Sequence, residues 1–142
     1  MKLNGKIKHV ICHKEEDNFC ILSIITDKKE ETVLGNCFTK PKEGLIIEAE
    51  GGYVKNKQYG QQFKADKIDI VIPTMDSDIE IYLSTILKGV GAKTAERMVK
   101  EFGGIRVFDI IKNDPKQLSI ISGISAKKAI KIQESYLENI EF

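Results

Sequence analysis

The stretch Leu87-Lys88-Gly89-Val90-Gly91-Ala92-Lys93-Thr94-Ala95 holds the residues of this chain best suited to a specific chemistry. Two glycines flank one valine, and Lys93, Arg97 and Lys100 follow at i, i+4 and i+7, a spacing that puts three cations on one side of a helix. Glycine takes backbone angles that other residues avoid, and its bare backbone lets another molecule come close. A helix that starts just after the glycines begins with unpaired N–H groups and the positive end of its dipole, a setting that suits a phosphate. The candidate anion contacts are therefore the amides of Gly89, Val90 and Gly91, with Lys93, Thr94 and Arg97 in the turns that follow. An ordinary αα-hairpin with a glycine C-cap and a solvated basic face fits the same residues.

The flanking periodicity supplies the helices. Ile79, Tyr82, Leu83, Ile86 and Leu87 fall at i, i+3, i+4, i+7 and i+8, and Ala95, Met98, Val99 and Phe102 repeat the spacing on the far side. The arrangement looks like a helix-hairpin-helix DNA-binding element. A second copy follows at Ser122-Gly123-Ile124-Ser125-Ala126-Lys127-Lys128-Ala129. Gly89 aligns with Gly123, Val90 with Ile124, Ala92 with Ala126, Lys93 with Lys127, Ala95 with Ala129 and Arg97 with Lys131. Turn chemistry alone does not produce a repeat at one fixed offset. Gly123, Ser125, Lys127 and Lys131 join the candidate phosphate contacts, so that two hairpins related by a pseudo-twofold could grip both strands of a duplex.

Composition limits how such a site could act. With 22 basic and 21 acidic groups the formal charge is +1. Residues 1–72 carry 12 basic and 11 acidic groups, and residues 73–142 carry 10 and 10, so any nucleic-acid site is a local patch and not a global field. No apolar run approaches a membrane span and no signal-peptide core is present, which points to a soluble, cytoplasmic protein with no membrane partner. Cys12, Cys20 and Cys37 are odd in number, lack a C-x-x-C spacing and lie in apolar runs, so they read as buried thiols rather than a zinc site or disulfide framework. His9 and His13, two pleats apart on one strand face, are assigned no chemistry.

The first half of the chain reads as strands, over Lys6–His13, Phe19–Thr26, Thr32–Phe38, Leu45–Gly51 and about Gln61–Ile72. Leu45, Ile47 and Ala49 share an inward face in the fourth, and Ile68, Ile70 and Ile72 in the fifth. Five short strands in this length predict a small closed barrel, either an OB-fold or an SH3-like barrel. Between the fourth and fifth strands Tyr53, Tyr59 and Phe63 interleave with Lys55, Lys57 and Lys64. Aromatic rings can stack on bases while lysines meet phosphates, which makes Tyr53, Lys55, Lys57 and Tyr59 a second candidate DNA contact. A polar β-hairpin whose aromatics close one barrel end accounts for the same residues.

Pro73 ends the strands, and Thr74 or Asp76 is placed to cap the next helix. Phe102-Gly103-Gly104 stops the second helix, a short helix carries Val107, Phe108, Ile110 and Ile111, and Asn113 ends it. Asp114-Pro115-Lys116-Gln117 is a helix-start signal, and a last helix runs from Ala126 to about Asn139, burying Ala129, Ile130, Ile132 and Tyr136. The expected architecture is α+β: an OB-like β-barrel over residues 1–72, then an all-α tandem helix-hairpin-helix domain over 73–142.

These residues together resemble the N-terminal region of the stand-alone bacterial RecD-like DNA helicases. The resemblance rests on Tyr59-Gly60-Gln61-Gln62-Phe63, Ile81-Tyr82-Leu83, Leu87 to Gly91, Lys93-Thr94-Ala95, Phe102-Gly103, Asn113-Asp114-Pro115 and Ser122-Gly123-Ile124, and it covers nearly the whole chain. It implies that an OB-like domain and tandem hairpins precede a motor that moves 5′ to 3′ on single-stranded DNA with ATP and Mg²⁺, in DNA repair and recombination. The family usually has Pro at the positions of Ala92 and Ser122 and often Gly at that of Ser125, so the first hairpin is expected to carry more of any DNA contact. No G-x-x-x-x-G-K-[ST] phosphate loop occurs in these residues, and no catalytic triad or metal-ligand constellation. The chain is thus expected to be a non-catalytic, cofactor-free N-terminal piece of a longer helicase. Its expected partners are single-stranded or junction DNA and the motor domains of the same polypeptide. A RuvA-like Holliday-junction binder and a protein-docking scaffold without DNA contact are the alternatives.

Overall fold

The computed structural model describes residues 1–140. It separates into two compact units, Met1–Val71 and Ile72–Phe142.

In the first unit the strands are β1 (Lys2–Lys14), β2 (Phe19–Ile25), β3 (Glu30–Asn36), β4 (Ile46–Asn56) and β5 (Gly60–Ile70). They close in the order β1-β2-β3-β5-β4, with β3 and β5 joined in parallel through Val33–Phe63 and Leu34–Lys64. Closure leaves no free edge along the ring. Leu22, Ile24, Val33, Ile47 and Phe63 are inaccessible and fill the interior, and Leu45, Ile47 and Ala49 all point inward. β4 continues past Gly51 because backbone pairing with β5 extends to Asn56–Gly60, beyond the end of the apolar alternation.

Two features depart from strict alternation. β1 carries irregularities between Ile7 and His9 and between Val10 and Cys12, so Ile7, Val10 and His13 are the residues opposite buried Ile24, Leu22 and Cys20. His9 and His13 therefore do not share a face. His9 is exposed beside Glu43, whereas the His13 Nε2 is buried with no hydrogen-bond partner among the described residues. The second departure is a bulge where β4 passes Glu50–Gly51. Beyond it Ile68 is buried and Ile70 half-buried, but Ile72 lies outside the strand and is 40% exposed, not inward. Cys20 and Cys37 are buried and Cys12 half-buried. Desolvation, then the neighbouring Cys37 and Cys12, push the Cys20 thiol up to about 12, so it stays protonated and inert.

The second unit contains α1 (Asp76–Ile86), α2 (Ala92–Phe102), α3 (Gly104–Asn113), a 3₁₀ turn (Pro115–Ile120) and α4 (Ala126–Ile140). Met75, not Thr74 or Asp76, is the residue before α1, and it makes no side-chain cap; Asp76 and Asp78 in the first turn face the positive dipole end instead. The Asp114-Pro115 signal opens the 3₁₀ turn rather than an α-helix, with Gln117 donating to Asp114 through its backbone N–H (3.2 Å) and its side-chain Nε2 (2.8 Å). α4 buries Ala129, Ile132, Ser135 and Tyr136. Ile130 does not join them: it is 42% exposed, because one residue is a 100° step off the buried face. Ile79, Leu83, Ala95, Met98, Ile111, Leu118, Ala129 and Ile132 form the core, beside a row in which Phe108 contacts both Tyr82 and Tyr136. Among the described residues no helix is long and apolar enough to cross a membrane.

Two measurements check this account. A Cβ on Gly51 would clash with the Lys64 carbonyl oxygen and lie 2.9 Å from the Ala65 Cα, both backbone atoms. Gly51→Ala should therefore cost about 1–3 kcal/mol in urea unfolding. The Ser23 hydroxyl donates to Glu30 at 2.6 Å, and with Lys8 it holds the Glu30 carboxyl below the usual carboxylate range. A depressed folded pKa gives stability that is present above the unfolded value and lost as pH falls through the folded one. Glu30→Gln should flatten the acid limb of the stability profile and leave its alkaline limb unchanged.

Candidate nucleic-acid interface

The first corner joins α1 to α2. Gly89 sits at φ +82, in the left-handed region, and buried Val90 (4% exposed) anchors the turn in the core while Gly89 and Gly91 remain exposed. Leu87 N–H closes α1 on the Leu83 carbonyl (3.2 Å), and Ala95 N–H reaches back to Gly91 (2.9 Å) to begin α2. Gly91 is the N-cap and has no side chain to offer, so α2 starts without a side-chain cap. Among the described residues the amides of Gly89, Val90, Gly91 and Lys93 have no protein acceptor. Lys93, Arg97 and Lys100 are exposed, without an ion pair among the described residues, and Thr94 is half-buried.

The second corner has the same backbone and different hydrogen bonds. Gly123 stands at φ +93 and Ile124 is buried like Val90. Here Ile124 N–H donates to Ile121 (3.1 Å), and the Ser125 hydroxyl accepts the Lys128 N–H (3.1 Å). Ser125 is thus an N-cap that satisfies one of the donors the helix start would present to an anion. Lys127 and Lys131 are exposed. The repeat is therefore structural in both copies, and among the described residues the first leaves more of its helix start open than the second.

The structure also joins residues that the sequence places at separate corners. Ser135, 4% exposed on α4, accepts the Lys88 N–H at 3.1 Å and ties the first turn to the last helix. Lys131 lines a cleft of about 430 Å³ together with Gly89 of the first turn. Sequence reasoning missed Ser135, although a serine three residues after Ile132, on an otherwise apolar helix side, is a legible signal of a buried polar contact.

In the barrel the aromatic segment divides. Tyr53 meets buried Phe63 edge to face (centroids 5.2 Å apart), and its hydroxyl donates to Glu31, which raises the phenol pKa. These two contacts hold the ring, which remains 37% exposed. Tyr59 is different: it is 68% exposed at the tip of the β4–β5 hairpin, where the Asn56 side chain accepts the N–H groups of Gln58 (2.8 Å) and Tyr59 (3.1 Å). Lys55 and Lys57 are exposed beside it. Among the described residues there is no group of three His, Cys, Asp or Glu side chains that could hold a metal.

The comparisons with known families follow the same division of the chain. A family model described as the SAM-like helix-hairpin-helix tandem matches residues 80–135. That span takes in both glycine corners. A second model, described as the OB-fold domain of the ATP-dependent DNA helicase YrrC, matches residues 1–73, half of the chain, and covers every barrel strand. The chain belongs to this helicase OB-domain family, with a helix-hairpin-helix tandem following the barrel.

Proposed function

We propose that this chain is a DNA-binding accessory region of an ATP-dependent, RecD-like 5′–3′ DNA helicase. In this reading ATP, Mg²⁺ and the motor belong to further domains of the same polypeptide, and the role of these residues is to hold or guide DNA. The observation that carries it is the first corner, where an exposed, uncapped helix start adjoins Lys93 and Arg97, neither of them in an ion pair among the described residues. Four free amides in one turn, with the helix dipole behind them, form a phosphate site that needs no base contact. The near-neutral charge then makes binding depend on a few local contacts. Tyr59, Lys55 and Lys57 at the hairpin tip offer a stacking ring and two cations for a single strand.

The second corner supports a scaffold role within the same region. Its own Ile121 carbonyl and Ser125 hydroxyl occupy groups that the first corner leaves open. Gly123, Ser125 and Lys127 accordingly contribute less to DNA affinity than their counterparts.

The test is a salt titration of oligonucleotide affinity by fluorescence anisotropy. Lys93→Ala with Arg97→Ala should weaken binding several-fold and reduce the slope of log K against log salt by about one to two, roughly one per lost phosphate contact. Lys127→Ala should change both quantities less. An unchanged slope in the double variant would remove the first corner from the DNA contact.

A further inference from the structure

Resting on the DNA-binding reading, we infer that the cleft between the first turn and α4 is a seat for a single phosphate group, held by Lys88, Lys128 and Lys131 and served by both hairpins at once. Lys88 belongs to the first turn, whereas Lys128 and Lys131 belong to the helix after the second. All three line one cleft of about 430 Å³, and none has an ion pair among the described residues. The Lys128 Cε lies 3.5 Å from the point a Gly89 Cβ would occupy, so its ammonium stem passes directly over the bare turn. Among the described residues nothing lies within 4 Å of the equivalent point at Gly123, so no lysine stem crosses the second turn in the same way.

The floor of this cleft is fixed. Lys88 N–H is bound to the Ser135 hydroxyl, and Ser135 in turn receives the Asn139 amide on its carbonyl at 2.7 Å. The turn therefore cannot swing away from α4 without breaking a part-buried hydrogen bond. Charge runs along the helix: Lys128 and Lys131 lie toward the positive dipole end, and Glu134 and Glu138 occupy the cleft one and two turns later. An anion is attracted at the lysine end and repelled at the glutamate end. A strand that tracked the whole cleft would bring phosphates against both carboxylates. The cleft thus suits one phosphate, either where a strand crosses it or where a strand ends in a phosphate.

Anisotropy titrations of the 142-residue chain with 5′-hydroxyl and 5′-phosphorylated single strands separate these sources. Lys88→Ala with Lys128→Ala should weaken binding about three- to tenfold and lower the salt slope by about one, near the value for one phosphate. Glu134→Gln with Glu138→Gln should tighten it. Equal losses on both oligonucleotides identify a crossing strand, and a loss confined to the phosphorylated one identifies a strand end; either supports the seat. Wild-type affinity and slope in the Lys88/Lys128 variant on both oligonucleotides, while the Lys93/Arg97 variant weakens, would overturn the seat and leave the first corner standing. Wild-type binding in both variants would overturn the two together. Thermal melts that match the wild type establish that the exposed-lysine variants are folded.

Discussion

A helix begins with amides that its own backbone cannot satisfy, and the helical unit of this protein depends on what is done with them. At each glycine corner the chain reverses through a left-handed residue, Gly89 or Gly123, and pins the reversal with a buried aliphatic side chain, Val90 or Ile124. The two corners are thus built alike. They differ at the helix start: Gly91 leaves α2 uncapped, and Ser125 caps α4. Both corners face solvent, and the difference is that the second spends the Ile124 and Lys128 amides on its own Ile121 carbonyl and Ser125 hydroxyl.

The frame matters because the open corner has no rigidity of its own. Its amides can hold an anion only if the turn does not fray. Val90 supplies the apolar anchor, and the Ser135 hydroxyl supplies a polar one from the far end of the unit. Lys128 and Lys131 reach the first turn for the same reason: α4 is packed where its basic end overlooks Gly89. With overall charge near zero, such convergence of a few cations on exposed backbone is the means by which this chain can favour an anion at short range and still repel it elsewhere.

Much of this was legible in the residues. The Gly-Val-Gly turn, its partial repeat at Gly123-Ile124 and the 3.6-residue periodicity gave both corners and the α-helices around them, and the inward alternation of Leu45, Ile47 and Ala49 gave the barrel. What could not be read arose from local breaks in period and from contacts distant in sequence. The irregularities of β1 moved His13 to the inner row and left His9 outside. The acceptor of the Tyr53 hydroxyl, Glu31, is twenty-two residues away, so that contact has no local signal. Ile130 read as buried because an aliphatic residue beside the helix stripe cannot be told from one within it by type alone. Lys88, Lys128 and Ser135 needed the packing of α4 against the first turn to become a group.

The central claim is that the first corner presents free main-chain amides to a nucleic-acid phosphate, two of which, at the positions of Val90 and Thr94, have counterparts bound within the protein at the second corner, Ile124 and Lys128. Backbone amide chemical-shift mapping of the chain during an oligonucleotide titration at low salt tests it residue by residue. The account predicts that Gly89, Val90, Gly91 and Lys93 shift most, with Ile124 and Lys128 N–H moving little. Shifts centred on Gly123 to Lys128, or confined to the barrel with the first corner unmoved, would contradict it.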